Sequence, residues 1–272
     1  MTMDQQYQQI PYELSEYTHE YGDHVHLLAN PYLQSLLAQF STPEHKHPLL
    51  TPYVRMLYQE LFQSALNLLA PRQQVSWDTR MKEHTAKGVL HTQILKKDTP
   101  MVFVDLARAG TVPAQVGFDQ ACYYFNSDLL RQDHVYINRA TNEKGEVTGV
   151  KVSGSKIGGP KDDALVFFPD PMGATGGSLS FAVDHYKKNV KGEALAFISL
   201  HLIITPEYVA RLRQDHPDLH IFAVRMDRGL SSERALASGF GKHGEEEHGL
   251  NEFQYIVPGA GGVGEILNNS FV

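Results

Sequence analysis

The sequence predicts an α/β fold in which helices cover both faces of a mostly parallel sheet. From about residue 100 onward, short apolar runs alternate with segments that have helical spacing, which is typical of such a sheet. The chain has 272 residues, 42% of them hydrophobic, which is enough for one sizeable core. Ligands of this fold class bind outside the carboxyl ends of the strands.

The chain begins with an extension, residues 1–26, which is polar, rich in Tyr, His and Gln, and without clear periodicity. We expect it to lie on the surface of the protein or on a partner, with residues 27–272 forming one domain. Two helices should follow the extension, because apolar side chains recur there at helical spacing. They are Leu33, Leu36 and Leu37 in the first helix, and Val54, Leu57, Tyr58, Leu61, Phe62, Ala65 and Leu69 in the second.

Six apolar runs in the rest of the chain predict strands. They cover residues 101–107, 134–138, 164–168, 194–204, 219–224 and 255–257. The helices between them are predicted at residues 113–125, 178–188 and 206–216. Apolar strands that alternate with helices in this way indicate parallel pairing.

Two segments do not follow this alternation. Residues 142–163 alternate apolar and polar side chains around glycine turns, which indicates a β-hairpin arm. Residues 231–252 are rich in glycine and charge, and they predict a mobile, solvated inserted loop.

Composition narrows the functional classes. A formal net charge of -7 and a pI near 6.0 give no general attraction to nucleic acid or to an anionic membrane. No window is apolar enough to span a membrane, and the polar start lacks a secretion signal, so we expect a cytoplasmic protein. The single cysteine, Cys122, excludes an internal disulfide and is predicted to be a buried thiol.

A glycine-bearing loop follows the predicted strand that ends at Phe168. If a helix begins at Ser178, the loop 170–177 directs backbone amides outward at a helix N-terminus, where an anion is favoured. Its two adjacent glycines let the backbone close around a phosphate, and the hydroxyls of Thr175 and Ser178 can donate hydrogen bonds. Asp170 stands at the strand tip, where it could hold sugar hydroxyls or a metal-bound water.

Two other phosphate-binding motifs are excluded by spacing. The loop has no lysine, which a P-loop requires, and Gly173, Gly176 and Gly177 do not match the GxGxxG dinucleotide pattern. From residue types alone, an ordinary strand-to-helix turn remains the alternative.

The loop "DPMGATGGS" resembles the phosphoribosyl pyrophosphate (PRPP) loop, DPMxATGGS, of the uracil phosphoribosyltransferases. Other segments are similar to the same family in the same order. They are "LARAG" (106–110), "VYINR" (135–139), "ITPEYVARLRQDHPDLHIFAVRMDRGL" (204–230) and "YIVPGAG" (255–261). The resemblance covers most of residues 100–267 and implies the Rossmann-like fold of type I phosphoribosyltransferases.

The resemblance also implies an activity. A phosphoribosyl group would pass from PRPP to uracil, giving uridine monophosphate (UMP) and pyrophosphate, as in pyrimidine salvage. PRPP would bind together with Mg²⁺, although no metal ligand is assigned on the chain. A cytoplasmic homodimer or higher homo-oligomer is expected, with activation by GTP left open and no nucleic acid or membrane partner.

Site residues follow from the matched motifs. The resemblance implies catalytic roles for Arg108, Arg139 and Asp170. It implies PRPP contacts for Arg108, Ala109, Gly110, Arg139, Asp170, Pro171, Met172, Gly173, Ala174, Thr175, Gly176, Gly177, Ser178 and Gly262. It implies uracil contacts for Tyr255, Ile256, Gly261, Gly262 and Val263.

One position departs from the family pattern. The family continues its YIIPG motif as LGDAGD, whereas this chain continues YIVPG as "AGGVGE", so Gly262 stands in the place of the first Asp and Glu265 in the place of the second acid. Three interpretations follow. Another acid, namely Glu265, Asp227 or Asp105, substitutes for it. Alternatively, the enzyme is slow or prefers another base, or the protein binds nucleotide as a sensor or regulator with weak or absent activity.

Overall fold

A computed structural model describes residues 4–141 and 147–270, with the side chains of residues 138–152 outside the description. Its elements in chain order are β1 (Val25–Leu27), α1 (Pro31–Phe40), α2 (Leu50–Leu69), β2 (Arg72–Asp78), β3 (Val89–Leu95), β4 (Met101–Ala107), α3 (Thr111–Cys122), β5 (Leu130–Thr141), β6 (Val147–Lys156), β7 (Leu165–Pro169), β8 (Met172–Gly173), α4 (Gly177–Asn189), β9 (Ala196–Ile204), α5 (Pro206–Asp215), β10 (His220–Met226), α6 (Glu233–Leu236) and α7 (Val263–Asn268).

The central sheet has the strand order β1-β10-β9-β7-β4-β5-β6, and the short strand β8 also pairs with β9. Every pairing is parallel except that of β5 with β6. The predicted mostly parallel sheet is therefore confirmed. Its carboxyl edge brings together the ends of β4, β7 and β9, where the sequence placed the candidate loops.

Apolar side chains from the helices pack on both faces of this sheet. On one face, the ring of Phe62 from α2 meets Phe103 of β4 and Phe167 of β7, with ring centroids 5.5 and 5.3 Å apart. On the other face, Phe168 of β7 contacts Tyr186 of α4 edge-on, with a centroid distance of 5.3 Å. The packing on these two faces holds β4 and β7 in place, and with them the loops that follow these strands.

Three predictions of local structure were wrong or incomplete. Residues 255–257 form no strand, and only an isolated bridge joins Ile256 to Leu250. Cys122 is exposed, because it lies at the solvent-facing end of α3. The antiparallel pair β2–β3 was not predicted at all.

The predicted β-arm pairs with a strand that begins earlier than the arm itself. β6 pairs antiparallel with residues 134–141 of β5, so the hairpin starts near residue 134 rather than 142. The turn of the arm, residues 142–146, lies outside the described residues.

The N-terminal extension lies on the protein's own surface. β1 adds a parallel edge strand next to β10, and isolated bridges join Glu16 to Leu28 and His19 to Phe240. The extension therefore runs along the edge of the sheet and reaches the inserted loop.

The inserted loop 231–252 is folded rather than freely solvated. It carries the short helix α6, and the carboxylate of Glu247 is only 2% exposed. That carboxylate pairs with Arg228 and accepts hydrogen bonds from the Tyr21 hydroxyl at 2.5 Å and the Gly241 amide at 3.0 Å. A buried charge must be paired, and here it joins the extension to the loop.

None of the helices in residues 4–141 and 147–270 combines the length and the apolarity that crossing a membrane would require.

Removing the ring of Phe62 should weaken the fold strongly. Phe62→Ala leaves a cavity between two buried rings, and we expect the free energy of unfolding to fall by about 3–5 kcal/mol. Leu68→Ala on the same helix, where the side chain is 39% exposed, is the control and should cost less than about 1 kcal/mol. Denaturant unfolding measures both, and equal losses would show that α2 does not pack as described.

Acid should destabilise the edge of the sheet at β1. Burial, followed by the neighbouring histidines, lowers the pKa of both His26 and His220 to about 4. A histidine with a depressed folded-state pKa contributes full stability above its unfolded pKa near 6.5, and that contribution is lost as the pH falls toward 4. Between pH 7 and pH 5, each such group should cost roughly 1–2 kcal/mol.

His26→Phe tests this expectation by denaturant unfolding at pH 7 and pH 5. The variant should lose less stability than the wild type over that interval, because it has no imidazole to protonate in the unfolded chain. His84→Phe replaces an exposed histidine and should behave as the wild type does. The same pH dependence in all three proteins would contradict the expectation.

Candidate active site

The phosphate loop, residues 170–178, is held between two strands and a helix. β7 ends at Pro169, β8 pairs Met172 and Gly173 with the end of β9, and α4 begins at Gly177. The Asp170 amide donates to the carbonyl of Leu200 at 3.0 Å. The loop is therefore fixed against β9 along its first half.

Four backbone amides where this loop meets α4 make no hydrogen bond to the described part of the protein. In the described part of the chain, the amides of Thr175, Gly176, Ser178 and Leu179 donate to no protein group. They lie at the N-terminus of the 13-residue helix α4, whose dipole favours negative charge there. This arrangement can bind a phosphate group through the main chain.

Glycine is required at two places in the loop. Gly176 has a φ of 76°, and a Cβ there would lie 2.3 Å from Cδ2 of Leu212. A Cβ on Gly173 would lie 2.8 Å from Cγ2 of Ile204. The loop can approach β9 and α5 this closely only without these side chains.

A buried histidine of β9 holds the start of the loop by a hydrogen bond. Nδ1 of His201 donates to the carbonyl of Asp170 at 2.6 Å, and the hydroxyl of Tyr208 donates to Nε2 at 2.6 Å. Burial lowers the pKa of His201 to about 3, so the imidazole stays neutral and these two bonds fix its tautomer.

The side chain of Asp170 is poorly solvated. Burial raises its pKa to about 6, and a hydrogen bond from the amide of Met172, 3.3 Å from Oδ1, opposes the rise. The carboxyl group therefore changes its protonation state close to neutral pH, which is where a group that exchanges a proton or a ribose hydrogen bond is useful.

The Arg108 turn, residues 106–110, packs against the end of β7, directly before the phosphate loop. A Cβ on Gly110 would lie 2.8 Å from the carbonyl oxygen of Pro169. The Ala107–Arg108 peptide is cis. The exposed guanidinium of Arg108 donates from Nη1 to the carbonyl and hydroxyl oxygens of Ser270, both at 3.0 Å. This cation therefore lies between the end of β4 and the C-terminal segment.

The third segment, residues 255–264, has an irregular backbone that one ion pair supports. Asp227 accepts two bonds from Arg225, at 2.6 and 2.9 Å, and a third from the amide of Gly259 at 2.7 Å. Gly259 and Gly261 have φ values of 66° and 74°. The segment touches the Arg108 turn, because a Cβ on Gly264 would lie 3.4 Å from Cβ of Ala109.

The side chains of this segment differ in what they can contact. Val263 is buried in the core, Ile256 packs against it, and Tyr255 is 62% exposed. Gly261, Gly262 and Val263 directly precede Gly264, which contacts the Arg108 turn. The uracil contacts assigned to this segment stay predictions.

The structure brings together the predicted residues 108–110, 170–178 and 261–263 at one edge of the sheet. Arg139 stands in β5 opposite Val150 of β6, beyond the end of β4, and its side chain lies outside the described residues. The individual roles of these residues stay predictions.

Arg211 is a candidate that the sequence did not single out. Its Nη1 lies 3.4 Å from the place of a Cβ on Gly177, beside the free amides of the loop. Its side chain is 51% exposed, with a 3.4 Å contact from Nε to Asp215 on the same helix. Several charged residues alternate along α5, so only the packing of that helix against the loop distinguishes this arginine.

The acids considered as replacements for the missing family carboxylate differ in their partners. Asp105 accepts bonds from the Thr111 hydroxyl at 3.1 Å and from His134 at 2.9 Å. Asp227 is fully occupied by the ion pair described above. Both carboxylates are buried, with exposed fractions of 4% and 2%, and both already have protein partners.

Comparison with known proteins identifies the family. A family model described as uracil phosphoribosyltransferase matches residues 27–246. A uracil phosphoribosyltransferase of Salinibacter ruber is 40% identical over 89 residues, which are 33% of this chain and 41% of that protein. One of Lactococcus lactis subsp. cremoris is 39% identical over 106 residues, which are 39% of this chain and 40% of that protein. The matched segments thus span about two fifths of these relatives.

A solved structure agrees with the fold. The AQ2163 protein from Aquifex aeolicus superposes with a TM-score of 0.66 at 21% identity, covering 89% of this chain and 97% of that chain. The family resemblance is therefore confirmed over residues 27–246, and the fold over 89% of the chain. The chain belongs to the uracil phosphoribosyltransferase family and has the mostly parallel, helix-flanked sheet of a type I phosphoribosyltransferase.

Proposed function

We propose that this protein transfers the phosphoribosyl group of PRPP to uracil, giving UMP and pyrophosphate. The observation that carries the proposal is the convergence of three segments: a loop of free amides, an arginine-bearing turn and an irregular glycine-rich backbone. Family membership and the names of the relatives support uracil as the base.

The phosphate groups of PRPP would be bound locally by this otherwise acidic protein. The free amides at the start of α4 suit the 5′-phosphate, and the guanidinium of Arg211 adds a positive charge beside them. Arg108, on the neighbouring turn, suits the pyrophosphate that leaves. Because negative charge grows on that leaving group, fixed donors there lower the barrier as well as binding the substrate.

The base would lie against main-chain groups. Uracil presents two carbonyl oxygens and an N–H in one plane, so it needs matching donors and acceptors rather than a charged side chain. The backbone of residues 261–263 is held in an irregular shape by its glycines and by the Asp227 bond to Gly259. Holding the base and the sugar together in this geometry supplies much of the catalysis.

Mg²⁺ fits this site as an ion that arrives with PRPP. In residues 4–141 and 147–270, no group of three or more His, Cys, Asp or Glu side chains could hold a metal. Mg²⁺ commonly binds substrate phosphates with one or two carboxylates and several waters, so it needs no such cluster. Bound to PRPP, it would neutralise pyrophosphate charge, and the protein would contact its water shell.

We also propose a cytoplasmic homo-oligomer. Support comes from large apolar side chains that one copy leaves exposed, such as Tyr123 at 92% and Trp77 at 44%. Measuring UMP formation with and without GTP tests whether GTP activates the enzyme.

A second function is favoured by one observation. Gly262 lacks the carboxylate of the family motif, and a protein that kept the PRPP loop without that group could sense nucleotide while turning over slowly. Binding and turnover therefore have to be measured separately.

The wild-type protein should form UMP from uracil, PRPP and Mg²⁺. Chromatographic measurement of UMP and pyrophosphate in equal amounts would establish the reaction, and adenine or hypoxanthine in place of uracil is the control for the base. Thermal stabilisation by PRPP or UMP without product would favour the sensor. If neither product nor stabilisation is observed, both functions are contradicted.

Gly176→Ala should weaken PRPP binding without unfolding the protein. A positive φ and the contact with Leu212 make alanine costly here by about 1–3 kcal/mol, so affinity should fall roughly tenfold or more. Gly244→Ala is the matched control, because its Cβ would meet no atom within 4 Å.

Calorimetric titration with PRPP and Mg²⁺ measures the affinity of both variants, and circular dichroism checks that they are folded. Unchanged affinity in a folded Gly176→Ala variant would remove the loop from the binding site.

A further inference from the structure

The carboxylate of Glu265 occupies the space of a side chain at position 262. Its Oε2 lies 2.6 Å from the place of a Cβ on Gly262, and its Cδ lies 3.3 Å from it. Glu265 stands in the first turn of α7, which brings its side chain back over the preceding residue. An acid three residues later in the chain therefore places its charge where a short side chain at 262 would place its own.

Gly262 is not required by its backbone conformation. Its φ is -76° and its ψ is 78°, which residues with a side chain also adopt. The three atoms nearest to its Cβ position all belong to Glu265. A side chain at position 262 and the side chain of Glu265 would therefore occupy the same space, and backbone strain plays no part.

Glu265 differs from the other acids of the site in having no internal partner. Asp105 and Asp227 are occupied by hydrogen bonds, and burial keeps Asp170 protonated up to a pH near 6. No side-chain hydrogen bond or ion pair involves the half-buried Glu265 carboxylate in the described part of the chain. Among these acids, Glu265 is thus the one whose carboxylate has no protein partner in the described part of the chain.

Glu265 lies close to the residues proposed to hold pyrophosphate and uracil. The turn of residues 262–264 touches Ala109, next to the arginine proposed for pyrophosphate, and continues the backbone proposed for uracil. In the proposed function, a charge at this turn would lie near both the group that the ribose leaves and the group that it joins.

We infer that Glu265 supplies, from α7, the negative charge that stabilises the ribose as the transfer proceeds; this rests on the proposed function. In that reaction the bond from C1 to the pyrophosphate oxygen breaks and its electron pair leaves with pyrophosphate. The pair on uracil N1 forms the new bond to C1, and the N1 proton passes to solvent. Positive charge grows on the ribose ring in between, and a fixed carboxylate lowers the energy of that state.

This role predicts a specific kinetic pattern. Glu265→Gln keeps the size of the side chain and removes its charge, so kcat should fall about 10–100-fold. The KM for PRPP should change less than about threefold, because the interaction is strongest in the transition state. Glu252→Gln makes the same change on an exposed acid of the inserted loop and should leave both constants unchanged.

Restoring a carboxylate at 262 provides the decisive variant. Glu265→Ala should lose activity as Glu265→Gln does, and the double variant Gly262→Asp/Glu265→Ala should regain at least tenfold over Glu265→Ala. A merely structural role of Glu265 would not be rescued by a charge on a different residue.

The outcomes separate the inference from the function on which it rests. A wild type that forms no UMP overturns the proposed function, and the inference with it. An active wild type with an equally active Glu265→Gln variant overturns the inference alone. So does a folded double variant that regains nothing.

Discussion

The site depends on an asymmetry in the hydrogen bonding of the phosphate loop. Its carbonyl groups are used internally: those of Asp170, Gly173 and Ala174 accept from His201, from the Thr205 amide and from the Thr205 hydroxyl. In the part of the chain that the structure describes, the amides of Thr175, Gly176 and Ser178 have no protein acceptor. A buried peptide group normally needs a partner, so satisfying the carbonyls and leaving the amides open creates a net donor surface. That surface gives a protein of net charge -7 a local affinity for anions.

The same constraint explains the buried polar side chains of β9 and α5. His201 and Tyr208 are 0% and 1% exposed, and such groups are costly inside a core unless they are bonded. Here they form a short chain that ends on the loop, and the neutral imidazole has one donor and one acceptor to match. The glycines at 173 and 176 complete the arrangement, since side chains there would lift the loop away from these donors.

The sequence predicted those parts whose signal is local. The apolar runs of β4, β7 and β9 and the helical spacing of α2, α4 and α5 correspond to elements of the fold, because each buries a continuous stripe or face. β2 and β3 were missed because they are only partly buried and show no apolar alternation. Residues 255–257 look like a strand, yet Val257 bonds to Gly229 and Gly249 in a loop instead of to a neighbouring strand. Arg211 and its distance to Gly177 depend on how a helix packs, which no spacing in the sequence encodes.

Two glycines of the site illustrate why a motif alone does not decide function. Gly176 has a φ of 76° and a filled space around its α-carbon, so the backbone itself demands glycine. Gly262 has an ordinary φ, and the atoms that would crowd a side chain there belong to one flexible glutamate. The first position is therefore restricted to glycine by its geometry, whereas the second would admit a side chain if Glu265 moved aside. A residue's place in the sequence motif therefore does not fix where its charge lies. The chemistry of the site depends on where the charge lies in the folded protein.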